Sequence, residues 1–261
     1  MNYIRTKDGI QLAYTVSGKG KPFIIVGGSL ADHTMYEPLA SVLSSQFKVF
    51  NYDRRNRGNS ATAVHHTIDD EINDLALLAS LCNEPPVIYG HSAGAALAIR
   101  TVAAGISIDK LILADLPYSP NTESNEVEAE KFAEERNMIV SLLNDNNKTG
   151  AVKYFLKNFG MNEQELDQFL KSKNGEQALV NSATLPVDYD MLGSGLAPTE
   201  LLMKIRFPTL ILTSPSGLEI AEDVAEHIKN CELSVLDNPT YHLSSNEIAK
   251  PIIAFLTKVN E

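Results

Sequence analysis

A chain of 261 residues, 44% hydrophobic and 21% charged, has the make-up of an ordinary globular protein and can bury roughly 70–75% of its unfolded surface without covalent staples. Its net charge of −11 argues against nucleic acid and anionic membranes as partners, since phosphates and acidic lipids gain nothing from an excess of carboxylates. Two cysteines, Cys82 and Cys231, are too few for a disulfide framework and wrongly spaced for zinc, and no run approaches the ~18 apolar residues of a membrane span. With no apolar signal core near Met1, the expected location is the cytoplasm and the expected partner a small-molecule substrate.

Residues 10–16 alternate apolar and polar after Asp8-Gly9, a pair suited to a tight turn, and predict an N-terminal hairpin. Residues 23–26, Phe-Ile-Ile-Val, form the continuous apolar run of a strand covered on both faces, and they end in Gly27-Gly28. A helix over 35–43, a strand over 48–52 and a helix over 68–82 follow. In that second helix Ile72, Leu75, Ala76, Ala79 and Cys82 recur on one face. The unit repeats with a strand over 86–89, a helix over 92–104 and a strand over 111–114. Strand–helix–strand succession predicts a doubly wound, mostly parallel α/β sheet with helices on both faces. From 120 to 200 the pattern changes to charge-rich helical segments (126–144, 149–159, 163–173) without a strand, which reads as a helical insertion into a core made of 1–119 and 201–261. The sheet resumes at 208–212, followed by a helix over 219–229, a strand over 232–236 and a closing helix over 246–256.

Gly90-His91-Ser92-Ala93-Gly94 matches G-x-S-x-G, whose glycines permit a strand-to-helix turn sharp enough to lift the serine hydroxyl clear of the sheet. By residue frequency alone the pattern arises by accident in roughly one chain in ten of this length. Its position between an apolar strand and an Ala-rich helix makes Ser92 the candidate nucleophile. Such a serine is inert without a base. Of six histidines, His65 and His66 lie in a polar loop, His227 near a helix end, His91 within the turn and His33 after the first parallel strand. His242, beyond the last strand, has the chain order Ser first and His last that the turn's chemistry uses, the alternative being an exposed loop histidine. Two backbone N–H groups are expected to receive the oxyanion of an acyl-transfer transition state. They are those of Ala93 and of Ser29, in Gly27-Gly28-Ser29-Leu30.

Through Gly27-Gly28-Ser29, Asp53-Arg54-Arg55-Asn56-Arg57-Gly58-Asn59-Ser60, Gly90-His91-Ser92-Ala93-Gly94, Pro208-Thr209-Leu210-Ile211-Leu212 and His242, the chain resembles the α/β-hydrolase superfamily over nearly its whole length, and within it small bacterial members without an assigned substrate. The resemblance implies an α/β-hydrolase fold whose 120–200 insertion is a lid with an apolar inner face. It departs in three places. The usual His-Gly of the oxyanion loop is Gly27-Gly28. Asn56 stands where a glycine is usual. The loop Thr213-Ser214-Pro215-Ser216-Gly217 lacks the customary acid. Some relatives carry that acid one strand earlier, which here is Asp115. Asp115 as a brace of the sheet, Glu219, Asp237 and a Ser-His dyad without an acid are the alternatives. The expected reaction is hydrolysis of a carboxylic ester, lactone or thioester through an acyl-serine. No Gly-rich phosphate loop or H-E-x-x-H occurs, so no cofactor or metal is expected. A non-catalytic relative binding a ligand or partner in the same pocket, and a different reaction such as carbon–carbon cleavage or perhydrolysis, are the rival readings.

Overall fold

The structure is a computed structural model that describes residues 1–122 and 124–258. Its centre is an eight-stranded sheet of order β1-β2-β4-β3-β5-β6-β7-β8. β1 (Asn2–Arg5), β2 (Gln11–Ser17) and β4 (Lys48–Tyr52) pair antiparallel in succession. The remaining pairs are parallel and bring together β3 (Pro22–Val26), β4, β5 (Val87–His91), β6 (Lys110–Ala114), β7 (Thr209–Thr213) and β8 (Cys231–Val235). A doubly wound, mostly parallel sheet is therefore what the chain forms.

The fully buried strands divide their side chains between two cores, as the period-two pleat requires. Phe23 and Ile25 of β3 face α1 (His33–Leu43) and α11 (Ser245–Thr257), packing with Leu39, Leu43, Ile252 and Phe255. Ile24 and Val26 face α2 (Ile68–Ser80), α3 (Ala93–Ala103) and α10 (Leu218–Glu226), packing with Leu75, Leu97, Ile99 and Val224. In α2 the buried face differs from the apolar one read from the sequence: Glu71 and Asp74 are buried beside Leu75 and Leu78, whereas Ile72, Ala76 and Ala79 are half-buried. The carboxylates turn inward because three arginines meet them there.

Among the described residues between β6 and β7 run six α-helices, α4 (Asn125–Asn144), α5 (Lys148–Asn158), α6 (Glu163–Leu170), α7 (Lys173–Asn181), α8 (Leu185–Leu192) and α9 (Thr199–Leu202). They hold a small core of their own in which Ile139, Val152, Phe155, Leu185 and Tyr189 pack on Leu30 of the loop after β3. Among the described residues no helix is long and apolar enough to cross a membrane. Cys82 and Cys231 are free and half-buried.

Candidate active site

Ser92 lies between β5 and α3 with φ 52° and ψ −124°, a conformation that L residues adopt only when the surroundings impose it. Ser92 N–H donates to Ala114 O at 2.9 Å, and Ser92 O accepts from Ala95 N–H at 2.7 Å, which fixes both sides of the turn. The flanking glycines are required by close packing. A Cβ on Gly94 would stand 2.2 Å from Val26 O, and one on Gly90 would stand 2.5 Å from Gly94 O. Serine at a helix N-cap ordinarily spends its hydroxyl on the first turn, but Ser92 makes no such bond, and its Oγ has no hydrogen-bond partner among the described residues.

Ser29, Ser92 and Ala93 border one cavity of about 220 Å³. Ala93 opens α3, where the first N–H groups have no intrahelical acceptor. Gly28 N–H is already used, donating to Tyr36 Oη at 2.9 Å. A Cβ on Gly27 would come 2.8 Å from Tyr36 Cε2, so the phenol fills the room that a larger residue at this position would need. This is the physical reason for the Gly27-Gly28 departure. Leu30, next in the loop, has φ 62°.

The rest of the cavity is supplied by residues after β6 and by the insertion. Phe132, Phe155, Phe159, Tyr189 and Leu192 share the wall with Glu128, Lys131, Glu135, Asn158 and Asp188. The inner face of the insertion is thus mixed rather than apolar as expected. Burial pushes the Glu135 carboxyl above its ordinary value.

Asp115 and His242 differ from expectation in how they meet. Asp115 follows β6 with φ 47°, and its Oδ2 accepts from Thr240 N–H at 2.9 Å and from Thr240 Oγ1–H at 2.5 Å. The same oxygen lies 3.4 Å from His91 Nε2. Burial alone would raise this carboxyl, but the donors from His91 and Thr240 outweigh it and hold it below the ordinary carboxylate value. Thr240 begins the short 3₁₀ turn Thr240–His242, so Asp115 anchors the turn that carries His242 instead of bonding its ring. The His242 ring is exposed against Tyr241, with centroids 4.4 Å apart, and makes no hydrogen bond to Ser92 or Asp115 among the described residues. Glu219 and Asp237 are both exposed.

Sequence reasoning missed the group packed behind the cavity. Arg54 grips Glu71 at 2.7 and 2.9 Å and Asp188 at 2.8 Å, while Arg57 reaches Glu71 at 3.0 Å and Asp188 at 2.7 Å. All four side chains are at most 2% exposed. His66 adds a contact to Glu71 at 2.8 Å, and Arg55 pairs separately with Asp74 at 2.7 Å through two bonds. Asn56 turns this loop at φ 61°, a conformation asparagine tolerates better than most, while its Oδ1 accepts from Ala63 N–H. That is how Asn replaces the usual glycine. The signal available in the sequence was Arg54-Arg55-x-Arg57 in an acidic chain, but its partner Asp188 is 134 positions away. His33 does not border the cavity either: its Nδ1 is 2.8 Å from Asp53 Oδ1, and Asp32 beside it caps α1 through Thr34 N–H. These three buried ligand-capable groups are thereby employed in local structure.

The chain is similar to known proteins that bear out this architecture. An alpha/beta hydrolase from Sphaerobacter thermophilus DSM 20745 superposes with a TM-score of 0.85 at 26% identity, over 98% of this chain and 100% of that one. The AB hydrolase superfamily protein YisY of Bacillus subtilis strain 168 is 31% identical over 43% of this chain, and the uncharacterized hydrolase YraK of the same organism is 26% identical over 71%. The matched stretches span 44% and 65% of those two relatives' own lengths. Residues 23–227, from β3 through α10 with the serine turn and the insertion between, match the family described as "Alpha/beta hydrolase family", and to that family the chain belongs.

Proposed function

We propose that the protein is a serine hydrolase that cleaves small carboxylic esters, or lactones or thioesters, through an acyl-serine. The observation that carries the reading is Ser92 itself, held in a left-handed turn with its hydroxyl free of the helix cap and facing a cavity shared with Ser29 and Ala93. In the reaction Ser92 Oγ attacks the acyl carbon as His242 takes its proton. The resulting oxyanion receives the N–H groups of Ser29 and Ala93, and the imidazolium returns the proton to the leaving alkoxide or thiolate. A water activated by the same histidine then releases the acid. Ser29 N–H supports this assignment because it has no acceptor among the described residues, whereas Gly28 N–H is taken by Tyr36.

His242 serves as base by side-chain rotation from a turn whose backbone Asp115 already holds. Catalytic hydrogen bonds that are open without substrate commonly close in the Michaelis complex. Asp115 is the acid of this reading, negative at neutral pH and fixed beside the turn. A cavity of about 220 Å³ is smaller than the ~300–1,000 Å³ usual for ligand pockets, which favours short acyl groups. The rival reading, a binding protein without chemistry, draws on the exposed ring of His242.

The test is turnover of p-nitrophenyl acetate and butyrate by the wild-type chain and by Ser92→Ala at matched fold and purity. Hydrolysis by the first and none above background by the second is the expected outcome. Equal rates would place the chemistry elsewhere, and no turnover of any short ester by the wild type would favour the binding protein.

A further inference from the structure

We propose that Tyr36 and His91 are positioning residues: a relay running from the oxyanion loop to Asp115 sets that loop and the His242 turn in register with each other. The inference rests on the serine-hydrolase reading for its effect on rate, and on geometry alone for its existence. The relay crosses four elements. Tyr36 comes from α1, Gly28 from the loop after β3, His91 from the end of β5 and Asp115 from the end of β6, and Asp115 grips Thr240 beyond β8.

The hydrogens can be assigned by elimination. Gly28 N–H can only donate, so Tyr36 Oη accepts from it at 2.9 Å and keeps one hydrogen to give. The other neighbour of that oxygen is His91 Nδ1 at 2.9 Å, with the Tyr36 ring buried and His91 half-buried. If His91 donated instead, the phenolic hydrogen would be buried without an acceptor, at a cost of about 1–3 kcal/mol. Tyr36 therefore donates to His91 Nδ1. A neutral ring then carries its proton on Nε2, which faces Asp115 Oδ2 at 3.4 Å, the longest link of the series. Burial pushes the Tyr36 phenol up to about 12, so it remains a donor at neutral pH. The rings of Tyr36 and His91 meet edge to face with centroids 5.9 Å apart, which restricts both.

This arrangement gives the x position of G-x-S-x-G a task in this chain. A Cβ on Gly28 would lie 3.2 Å from both His91 Nδ1 and Ser92 Cβ, so the oxyanion loop rests directly on the residue pair His91-Ser92. A shift of Tyr36 would move Gly28, and with it the N–H of Ser29. A shift of His91 would withdraw its Nε2 from Asp115 Oδ2, the oxygen that also accepts both bonds from Thr240, and so change the setting of the carboxylate that holds the turn of His242. Displacements near 1 Å in such groups lower turnover by about 10²-fold. The relay touches neither the acyl pocket nor the substrate, so its loss falls on kcat.

The experiment compares Tyr36→Phe, His91→Phe, the double variant and His91→Gln. The ester is one whose turnover depends on Ser92, and kcat, KM and Tm are measured together. Nitrogen-15 NMR of the imidazoles reports the His91 tautomer in wild type and in Tyr36→Phe. Tyr36→Phe and His91→Phe should each lower kcat by roughly 10–100-fold with KM within about threefold, and the double variant should be little worse than the more damaged single. His91→Gln, whose amide both accepts and donates, should recover most of the loss. The wild-type ring should carry its proton on Nε2. Multiplicative losses in the double variant, a loss confined to KM, no rescue by glutamine, or a proton on Nδ1 would each overturn the relay. If the wild type cleaves no ester, the hydrolase reading fails, and the tautomer and its change in Tyr36→Phe still decide whether the relay exists. Tyr36→Phe, nearly isosteric, keeps the test open should His91→Phe fail to fold.

Discussion

The cavity and the arginine cluster meet at Asp188, yet their polar groups are arranged on opposite terms. In the cluster two guanidinium groups and two carboxylates cancel, and Arg54 also donates to Gly27 O, tying the cluster to the loop after β3. Around Ser92 the polar groups are half open. The Ser92 hydroxyl does not cap its helix, Ser29 N–H has no acceptor among the described residues, and the ring of His242 is exposed. Charges buried at great desolvation cost are tolerated only when every partner stays in place, which suits a lock between the core and α8. Groups that must exchange protons with a substrate cannot be spent in that way. Two buried atoms of the cluster, Arg57 Nε and Asp188 Oδ2, also lack a hydrogen-bond partner among the described residues, so charge near a pocket does not identify the chemistry; the uncommitted atoms beside the Ser92 turn do.

The contrast can be broken first at its open side. Ser92→Ala should reduce kcat for short esters by at least ~10⁴-fold, equivalent to more than about 5 kcal/mol of transition-state stabilisation, with Tm nearly unchanged. Steady-state kinetics beside thermal melts check both halves of that statement. At the closed side the order reverses. Glu71→Gln leaves Arg54 and Arg57 facing a single shared acid and should cost about 3–5 kcal/mol of stability, read from denaturant unfolding.

The pH dependence of that loss has a fixed sign. Burial would raise the Glu71 carboxyl, but Arg54, Arg57 and His66 hold it well below its ordinary value of 4.5. A depressed folded-state value means that the stabilisation is complete above about 4.5 and is lost as pH falls through the lower folded value. The stability gap between wild type and Glu71→Gln should therefore be widest near neutrality and narrow below pH ~4. A gap that stays constant to pH ~2 would contradict the pairing.

Asp115 lies between the two regimes, partly buried yet beside the proposed base. Asp115→Asn should lower kcat by at least ~10²-fold with a smaller change in stability than Glu71→Gln, whereas Glu219→Gln and Asp237→Asn should each change kcat by less than ~10-fold. An Asp115→Asn enzyme of normal kcat would leave Ser92 and His242 as a dyad. The smallest effect belongs to Asn56→Gly. Glycine accepts the left-handed backbone freely but forfeits the bond from Ala63 N–H, for a loss of about 1 kcal/mol in thermal or chemical unfolding.

What could be read from the sequence follows the range of the interaction involved. The strands β3, β5, β6 and β7 were legible because unbroken apolar runs suit a parallel sheet covered on both faces, and the serine turn was legible because its glycines and serine are contiguous. The helices α7, α8 and α9 were not, being short and mixed in polarity, with α8 opening on Leu185-Pro186. The face of α2 was misread because burial there is decided by arginines 14 to 19 positions earlier, which no helical periodicity reports. Tyr36 and His91 escaped for the same reason: the 55 positions between them hide a 2.9 Å contact. The location of Asp115 at the carboxyl edge was legible, but its attachment to Thr240 rather than to the imidazole depends on the local 3₁₀ turn.

The most direct measurement is covalent capture by a fluorophosphonate, followed by intact mass and by mapping of the modified peptide. The account predicts one adduct per chain, on Ser92, absent from Ser92→Ala and formed far more slowly by His242→Ala, because only a serine with its base in reach attacks the phosphorus. No adduct on the folded wild-type chain, or an adduct that persists in Ser92→Ala, would contradict it.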